Sequence, residues 1–278
     1  MDEISVNDLP GYSSWVARIL GIEPFDRIQR NIEKIDAEYE KEKYAEFLAY
    51  YEGKKGVTAK DLRILETASF PDRMCISRDS RLFLTSPDEC RRLDDRMTAD
   101  TLAGLVDEVK TVVELGCGYG YNFTVLNETY PERIWFGGEY SNNAVKLAGR
   151  LFTDDSNVSV FPFNWYDSDW SIFNKLQEKA LVFTKHSIEQ LPLVKDVIPN
   201  FRKYREKIHA VVHMEPIFEL ADEETTLGLF RRAYIRLNDY NTDLLSAVKD
   251  MGVDIMEVKH DIFGSNPLNP TSIICWRF

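Results

Sequence analysis

The amino-acid sequence predicts an open α/β sheet of seven mostly parallel strands, ending in an antiparallel hairpin at the C-terminus and preceded by an N-terminal helical cap. Three observations carry this. From Thr98 onward the chain alternates helix, strand, glycine loop, helix and strand, the order that a parallel sheet covered by helices requires. The apolar run Val112-Val113-Glu114-Leu115 leads directly into Gly116, Gly118 and Gly120. The last two apolar runs are joined by Asp261 to Pro270, a stretch rich in Gly, Asn and Pro rather than a crossover segment.

Taken in order, Met1 to Pro10 carries Asp2, Glu3 and Asp8 and no apolar run, so no secretory signal is expected there. No segment holds eighteen uninterrupted apolar residues, which argues against a membrane span and makes the cytoplasm the expected compartment. Phe25 to Tyr51 is rich in Glu, Lys, Ala and Tyr, with Ile28, Ile32, Ile35 and Tyr39 at helical spacing; Gly53 and Gly56 end the pattern. This is an amphipathic helix packed on the body, with a dimerising helix as the alternative, so a homodimer stays open. Lys60 to Arg96, broken by Pro71 and Pro87, reads as a connector. The boundary is therefore placed near Arg96, with residues 1–96 as cap and substrate region and 97–278 as the sheet domain. Strands are predicted at Thr111 to Leu115, Arg133 to Gly137, Val158 to Phe161, Leu181 to Thr184, His209 to His213, Val253 to Lys259 and Thr271 to Arg277.

The chain has 278 residues and a net charge of −12, with 46 acidic side chains against 34 basic ones. That balance opposes nonspecific attraction to nucleic acid or an anionic membrane. Cys75, Cys90, Cys117 and Cys275 form no CxxC pair, so no zinc ribbon or dithiol motif is expected and the thiols read as reduced.

The chemistry centres on the glycine loop. Three glycines at alternate positions after a strand let a nucleotide-like group approach the backbone, and the helix that follows offers free N–H groups to an anion; a plain strand-to-helix turn is the alternative. A nicotinamide-type GxGxxG needs a glycine where Tyr121 stands, which weakens a dinucleotide reading. Glu139 follows the next strand 23 residues beyond Gly116. An acid gripping ribose hydroxyls in such a unit lies about 20 residues on.

Glu114 to Gly120, Glu139 and the C-terminal antiparallel pair together resemble the class I S-adenosylmethionine-dependent methyltransferases over roughly residues 98–278. The resemblance implies a Rossmann-like sheet and S-adenosyl-L-methionine as cofactor. It implies that Gly116, Gly118 and Gly120 hold the methionine part, Glu114 lies near its amino group and Glu139 holds the ribose. The residue contacting adenine is then Asn164, with Asp167 as the alternative and Trp165 as a cover for the ring face. The Asn/Asp-Pro-Pro-Tyr signature of members acting on base amines is replaced by His213-Met214-Glu215-Pro216, which, with the acidic charge, argues against DNA methylation.

Methyl transfer needs alignment and, where the nucleophile carries a proton, a base at the carboxyl edge of the sheet. His186 after the fourth strand and His213 at the end of the fifth are the candidates, with His186 preferred. A metal set of His186, His213 and Glu215 has no ligand-spacing motif behind it, so no metal is expected. Tyr119, Tyr121 and Glu215 are candidate substrate contacts, and Arg78, with Arg81, a candidate partner for a substrate carboxylate. Tyr12, Trp15 and Phe25 are candidate apolar walls. The expected function is methyl transfer to oxygen or nitrogen of a small-molecule or peptide-like metabolite, natural-product tailoring being one such role. The alternatives are methylation of a protein or peptide side chain, favoured by an acidic cleft around Glu139, Glu215, Asp222, Glu223 and Glu224, or a cofactor-binding partner subunit without turnover. His209 and His260 read as structural.

Overall fold

A computed structural model describes residues 1–278. The first ninety residues contain a feature the sequence reading did not anticipate: β1 (Asp2–Ile4), β2 (Met74–Arg78) and β3 (Arg81–Thr85) form a separate antiparallel sheet in the order β1-β3-β2. Asp79 and Ser80, with φ of 51° and 60°, make its two-residue hairpin turn. Tight hairpins need left-handed residues there, and Asp tolerates that region. The polar look of Cys75 to Arg81 comes from this turn and from Ser77, which is buried because its hydroxyl donates to Asp261.

Between β1 and β2 lie α1 (Trp15–Ile19), α2 (Ile32–Ile35), α3 (Tyr44–Gly53) and α4 (Ala59–Glu66). Asp36–Lys43 joins α2 to α3 as a π-helical stretch, a wide winding that often marks functional segments. The predicted helix thus begins at Ile32 rather than Phe25, and Ile28 lies in extended chain bonded to the carbonyl of Leu237. α5 (Pro87–Val106) starts at the Ser86 cap with proline in its first turn and runs straight through Arg96, so the boundary expected there falls inside one helix. Its buried face is Cys90, Asp94, Thr98, Leu102 and Val106, one residue every four. Asp94 and Thr98 interrupt the apolar stripe, which hides the helix from a periodicity reading.

The main sheet comprises β4 (Thr111–Leu115), β5 (Ile134–Glu139), β6 (Val158–Pro162), β7 (Ala180–Lys185), β8 (Ile208–Glu215), β9 (Asp254–Phe263) and β10 (Thr271–Arg277). Their order is β6-β5-β4-β7-β8-β10-β9, with the first five parallel and β10 antiparallel to both β8 and β9. Successive residues serve opposite faces: Val113, Val182 and Val211 belong to one core and Val112, Leu181 and Val212 to the other. Burial on both faces explains why these strands read as continuous apolar runs.

α6 (Tyr121–Thr129) and α7 (Asn142–Leu151) make the first two crossovers, and α8 (Thr226–Leu237) and α9 (Leu244–Asp250) lie between β8 and β9. The crossovers from β6 to β7 and from β7 to β8 are 3₁₀ turns, not the helices expected. Aromatic side chains fill the space instead, with Trp170 5.0 Å from Phe201 and Phe173 4.7 Å from Tyr204.

Among the links that hold the N-terminal region to the sheet domain are two built on carboxylates. Asp261, fully buried, accepts from Ser77 and from the buried Arg231 at 2.6 Å. The Glu40 carboxylate accepts from Ser141 Oγ and, at 3.0 Å, from the N–H of Asn143 at the start of α7. Glu40→Ala is expected to cost about 1–2 kcal/mol through the lost helix-end contact, read as faster proteolysis within residues 32–53 at unchanged overall fold.

Candidate active site

The chain passes from β4 outward to β5 and β6, then returns across β4 to begin β7. The carboxyl ends of β4 and β7 consequently diverge at the point where strand order reverses, and a crevice opens there, as in other open α/β sheets. A pocket of about 400 Å³ occupies that crevice.

Gly116 and Gly118 form its floor and Gly120 follows them, all three left-handed with φ of 83°, 56° and 82°. A side chain would be strained at each. Each also meets a close neighbour: a Cβ would lie 2.2 Å from Ser187 Cβ at Gly116, 2.5 Å from the Tyr44 hydroxyl at Gly118 and 2.8 Å from Phe152 at Gly120. Gly116 and Gly118 line the pocket, whereas Gly120 serves the packing of α6 on Phe123 and Phe152 and is not in its wall.

Two carboxylates stand beside this floor. Glu139, at the end of β5, is buried and accepts from the N–H groups of Gly118 at 2.7 Å and Ser141 at 2.8 Å. Burial raises its pKa against those two bonds. Glu114, on β4, accepts from Asn122 at 2.6 Å through Oε1, while Oε2 is buried with no partner. Burial drives its carboxyl up to about 8, with the Asn122 bond opposing. Asn164, past the end of β6, lines the pocket and holds a local turn by accepting from Tyr166. Trp165 also lines the pocket and packs edge-on against Phe163 at 5.0 Å.

His186 lies across the crevice, directly after β7, with φ of 49°. Nδ1 is 3.1 Å from Glu189 Oε2 and Nε2 is 2.7 Å from Thr271 Oγ1, so the ring is held at both ends yet stays partly open to the pocket. Burial disfavours its charged form, but the Glu189 carboxylate outweighs that and lifts its pKa. Glu189 itself also accepts from Gln190 at 2.9 Å and Asn269 at 3.1 Å.

His213 does not reach the pocket. On β8 it is buried between Phe201 and Trp276, with Nδ1 3.0 Å from Thr184 Oγ1; burial lowers its pKa to about 3. His213 pairs with Thr184 inside the sheet, two residues short of the end of β8, whereas His186 lies past the end of β7 at the carboxyl edge. Glu215 is likewise absent from the wall: fully buried, it accepts from the N–H groups of Ser187, Ile188 and Glu189 and so shapes the turn carrying His186. The set His186, His213 and Glu215 therefore does not converge, and no group of three metal-ligating side chains is placed to hold an ion.

Arg78 is exposed beside Asp79 on the small sheet, and Arg81 pairs with Glu3; neither lines the pocket. Trp15 packs between Phe25 at 4.8 Å and Tyr234 at 4.6 Å, and Tyr12 is exposed, so these three aromatics build no wall of it. Asp222, Glu223 and Glu224 are exposed ahead of α8, so the acidic cleft expected with Glu139 and Glu215 does not form. His209 pairs with Glu108, and His260 lies against Arg231.

The pocket's cover comes from the N-terminal region. Ile32, Ile35 and Tyr39, the stripe read as ordinary packing, face it together with Lys43 and Tyr44. Tyr119 and Tyr121 line the same side; the Tyr119 hydroxyl is buried without a partner and that of Tyr121 donates to Asp95 at 2.9 Å. Below them runs a charge chain that sequence reading missed. Lys43 meets Glu66 at 2.6 Å, Arg63 bridges Glu66 and Asp94 at 2.8 and 2.9 Å, and Lys185 meets Asp94 at 2.9 Å. Burial works against ionisation of Glu66, but Lys43 and Arg63 hold its pKa down to about 2. The available signal was the polar break at Asp94 and Thr98 in α5, both of which bond Lys185.

No family model and no curated protein matches the chain. Among solved structures it is similar to a magnesium protoporphyrin IX methyltransferase from Synechocystis, at 12% identity over 69% of this chain and 86% of that one, with a TM-score of 0.48. It is also similar to a geranyl diphosphate C-methyltransferase from Streptomyces coelicolor, at 12% identity over 68% and 81%, TM-score 0.49. An O-methyltransferase family protein from Burkholderia thailandensis shares 16% identity over 68% and 57%, TM-score 0.47. Overlap this distant transfers no activity, so the functional reading rests on the pocket's own residues. The sheet itself has the mostly parallel form, with its antiparallel C-terminal pair, that the resemblance to class I methyltransferases implies.

Proposed function

We propose that this chain binds S-adenosyl-L-methionine in the crevice and methylates oxygen or nitrogen of a small acceptor. The unpartnered Oε2 of Glu114, buried beside the left-handed Gly116 and Gly118, is the observation that carries the reading. A buried carboxyl with one oxygen unsatisfied is costly by itself and is relieved by a cation or donor. Glu114 suits the amino group of the cofactor, the glycine floor its methionine part, Glu139 the ribose hydroxyls and Asn164 the adenine edge. When bound, the cofactor supplies a methyl group already activated on a sulfonium. His186 is the base in this reading: Glu189 orients the ring, and its Nε2, now facing Thr271, takes the proton that an acceptor hydroxyl or amine gives up. The helical cover from Ile32 to Tyr44 favours a small acceptor over a peptide laid in an open groove.

Titration calorimetry with S-adenosylhomocysteine tests this. A cation beside Glu114 needs the carboxylate, and the free carboxyl titrates near 8. Below that pH the proton must leave on binding, so affinity should rise by up to about tenfold per pH unit between pH 6 and 8. Up to one proton should be released at pH 7, and Glu114→Gln should flatten the profile. No saturation at any pH removes the cofactor; saturation without pH dependence removes Glu114 from its site.

A further inference from the structure

We infer that the half of the pocket away from the glycine loop is built for a nitrogen base, so that the acceptor is an amine held as its ammonium rather than an alcohol or an acid. This deepens the proposed function and rests on it. Glu189 is 4% exposed and belongs to the pocket wall. A carboxylate only accepts hydrogen bonds, so Gln190 and Asn269, both bonded to it, must turn their amide nitrogens toward it. Their oxygens then point elsewhere. Oε1 of Gln190 and Oδ1 of Asn269 have no partner, although each residue is only 8% exposed and both belong to the pocket wall. Buried acceptors left unpaired cost free energy that a donor-bearing ligand returns.

Charge points the same way. The three cations of the pocket, Lys43, Arg63 and Lys185, are already engaged by Glu66 and Asp94. Neither Lys nor Arg pairs with Glu189, whose partners are a histidine and two amides. An ammonium brings a positive charge together with several N–H donors for the amide oxygens. An alcohol brings a single donor and no charge, and a carboxylate meets Glu189 as a like charge. His186 stands beside the same carboxylate, where an ammonium can pass on a proton.

The test uses the full chain saturated with S-adenosylhomocysteine and three probes of one shape: phenethylamine, 2-phenylethanol and 3-phenylpropionate. Phenethylamine should bind at least about tenfold more tightly than either of the others. Glu189→Gln should remove most of that preference while S-adenosylhomocysteine affinity stays within about twofold. Should Glu189→Gln not fold, Asn269→Leu keeps the branched outline, lacks the amide oxygen and should weaken phenethylamine by about fivefold or more. An alcohol or acid bound as tightly as the amine, an unchanged preference in both variants, or no probe bound to the cofactor-loaded chain overturns the inference and leaves the cofactor reading standing. Failure of S-adenosylhomocysteine itself to bind overturns the cofactor reading first, and this one with it.

Discussion

His186→Asn should leave S-adenosylhomocysteine affinity within about twofold and slow methyl transfer by about 10²- to 10⁴-fold, the usual worth of a positioned base. Asparagine is the informative replacement because position 186 has φ of 49°, a left-handed conformation that Asn tolerates and that would strain most other residues. It keeps a polar side chain between Glu189 and Thr271 but cannot take up a proton near neutrality. The pH profile supplies an independent readout. The histidine pKa is raised by Glu189, and the base works in its neutral form. Activity must therefore fall as pH drops through that raised value, placing the acidic limb above the ordinary histidine pKa of about 6.5. Glu189→Gln removes the charge that lifts the pKa, so the limb should move to lower pH. Turnover in His186→Asn equal to that of the unaltered chain, with the same acidic limb, would take His186 out of the mechanism.

Gly118→Val should reduce S-adenosylhomocysteine affinity at least about 100-fold. Two effects act together. The left-handed backbone at φ of 56° disfavours any β-branched residue by roughly 1–3 kcal/mol. Even a single Cβ would lie 2.5 Å from the Tyr44 hydroxyl, so the valine must either fill the floor of the pocket or push α3 off it. The N–H of Gly118 is also the donor to Glu139, so a shifted loop releases the carboxylate assigned to the ribose. Gly120→Ala is the control. It carries the same backbone penalty, but its clash is with Phe152 and Phe123 outside the pocket, so it should lower thermal stability while S-adenosylhomocysteine affinity falls far less. Circular dichroism separates loss of fold from loss of binding in both. Near-normal affinity in Gly118→Val would mean that the glycine loop is not the floor of a cofactor site.

The parts of this molecule legible in one dimension are those with local causes. The strands of the main sheet show because both of its faces are buried, which leaves unbroken apolar runs; β4 and β10 coincide with their predicted limits, Thr111–Leu115 and Thr271–Arg277. The glycine loop shows because left-handed backbone after a strand has few alternatives to glycine, and the acid at Glu139 because its place follows from the loop's spacing. The small sheet stayed hidden because Ser77 is paid for by a partner 184 positions away, Asp261, and a buried serine reads as a surface one until that partner is known.

Which candidates share a pocket was decided only by the fold. His186 and His213 each stand at a strand end in the sequence, yet His213 pairs with Thr184 inside the sheet and the left-handed turn after β7 leaves His186 at the crevice. Ile32, Ile35 and Tyr39 form an apolar helical stripe by any reading, but whether such a stripe covers core or a ligand depends on where the helix docks, and the Glu40 contact with the start of α7 fixes that. The sequence alone determined the sheet, its glycine turn and the carboxylates beside it, since these follow from backbone conformation and near neighbours. The tertiary structure alone decided the charge chain from Lys43 to Lys185 and the Glu189 half-site, because ion pairs and buried acceptors are satisfied by residues that the chain brings together only after it has folded.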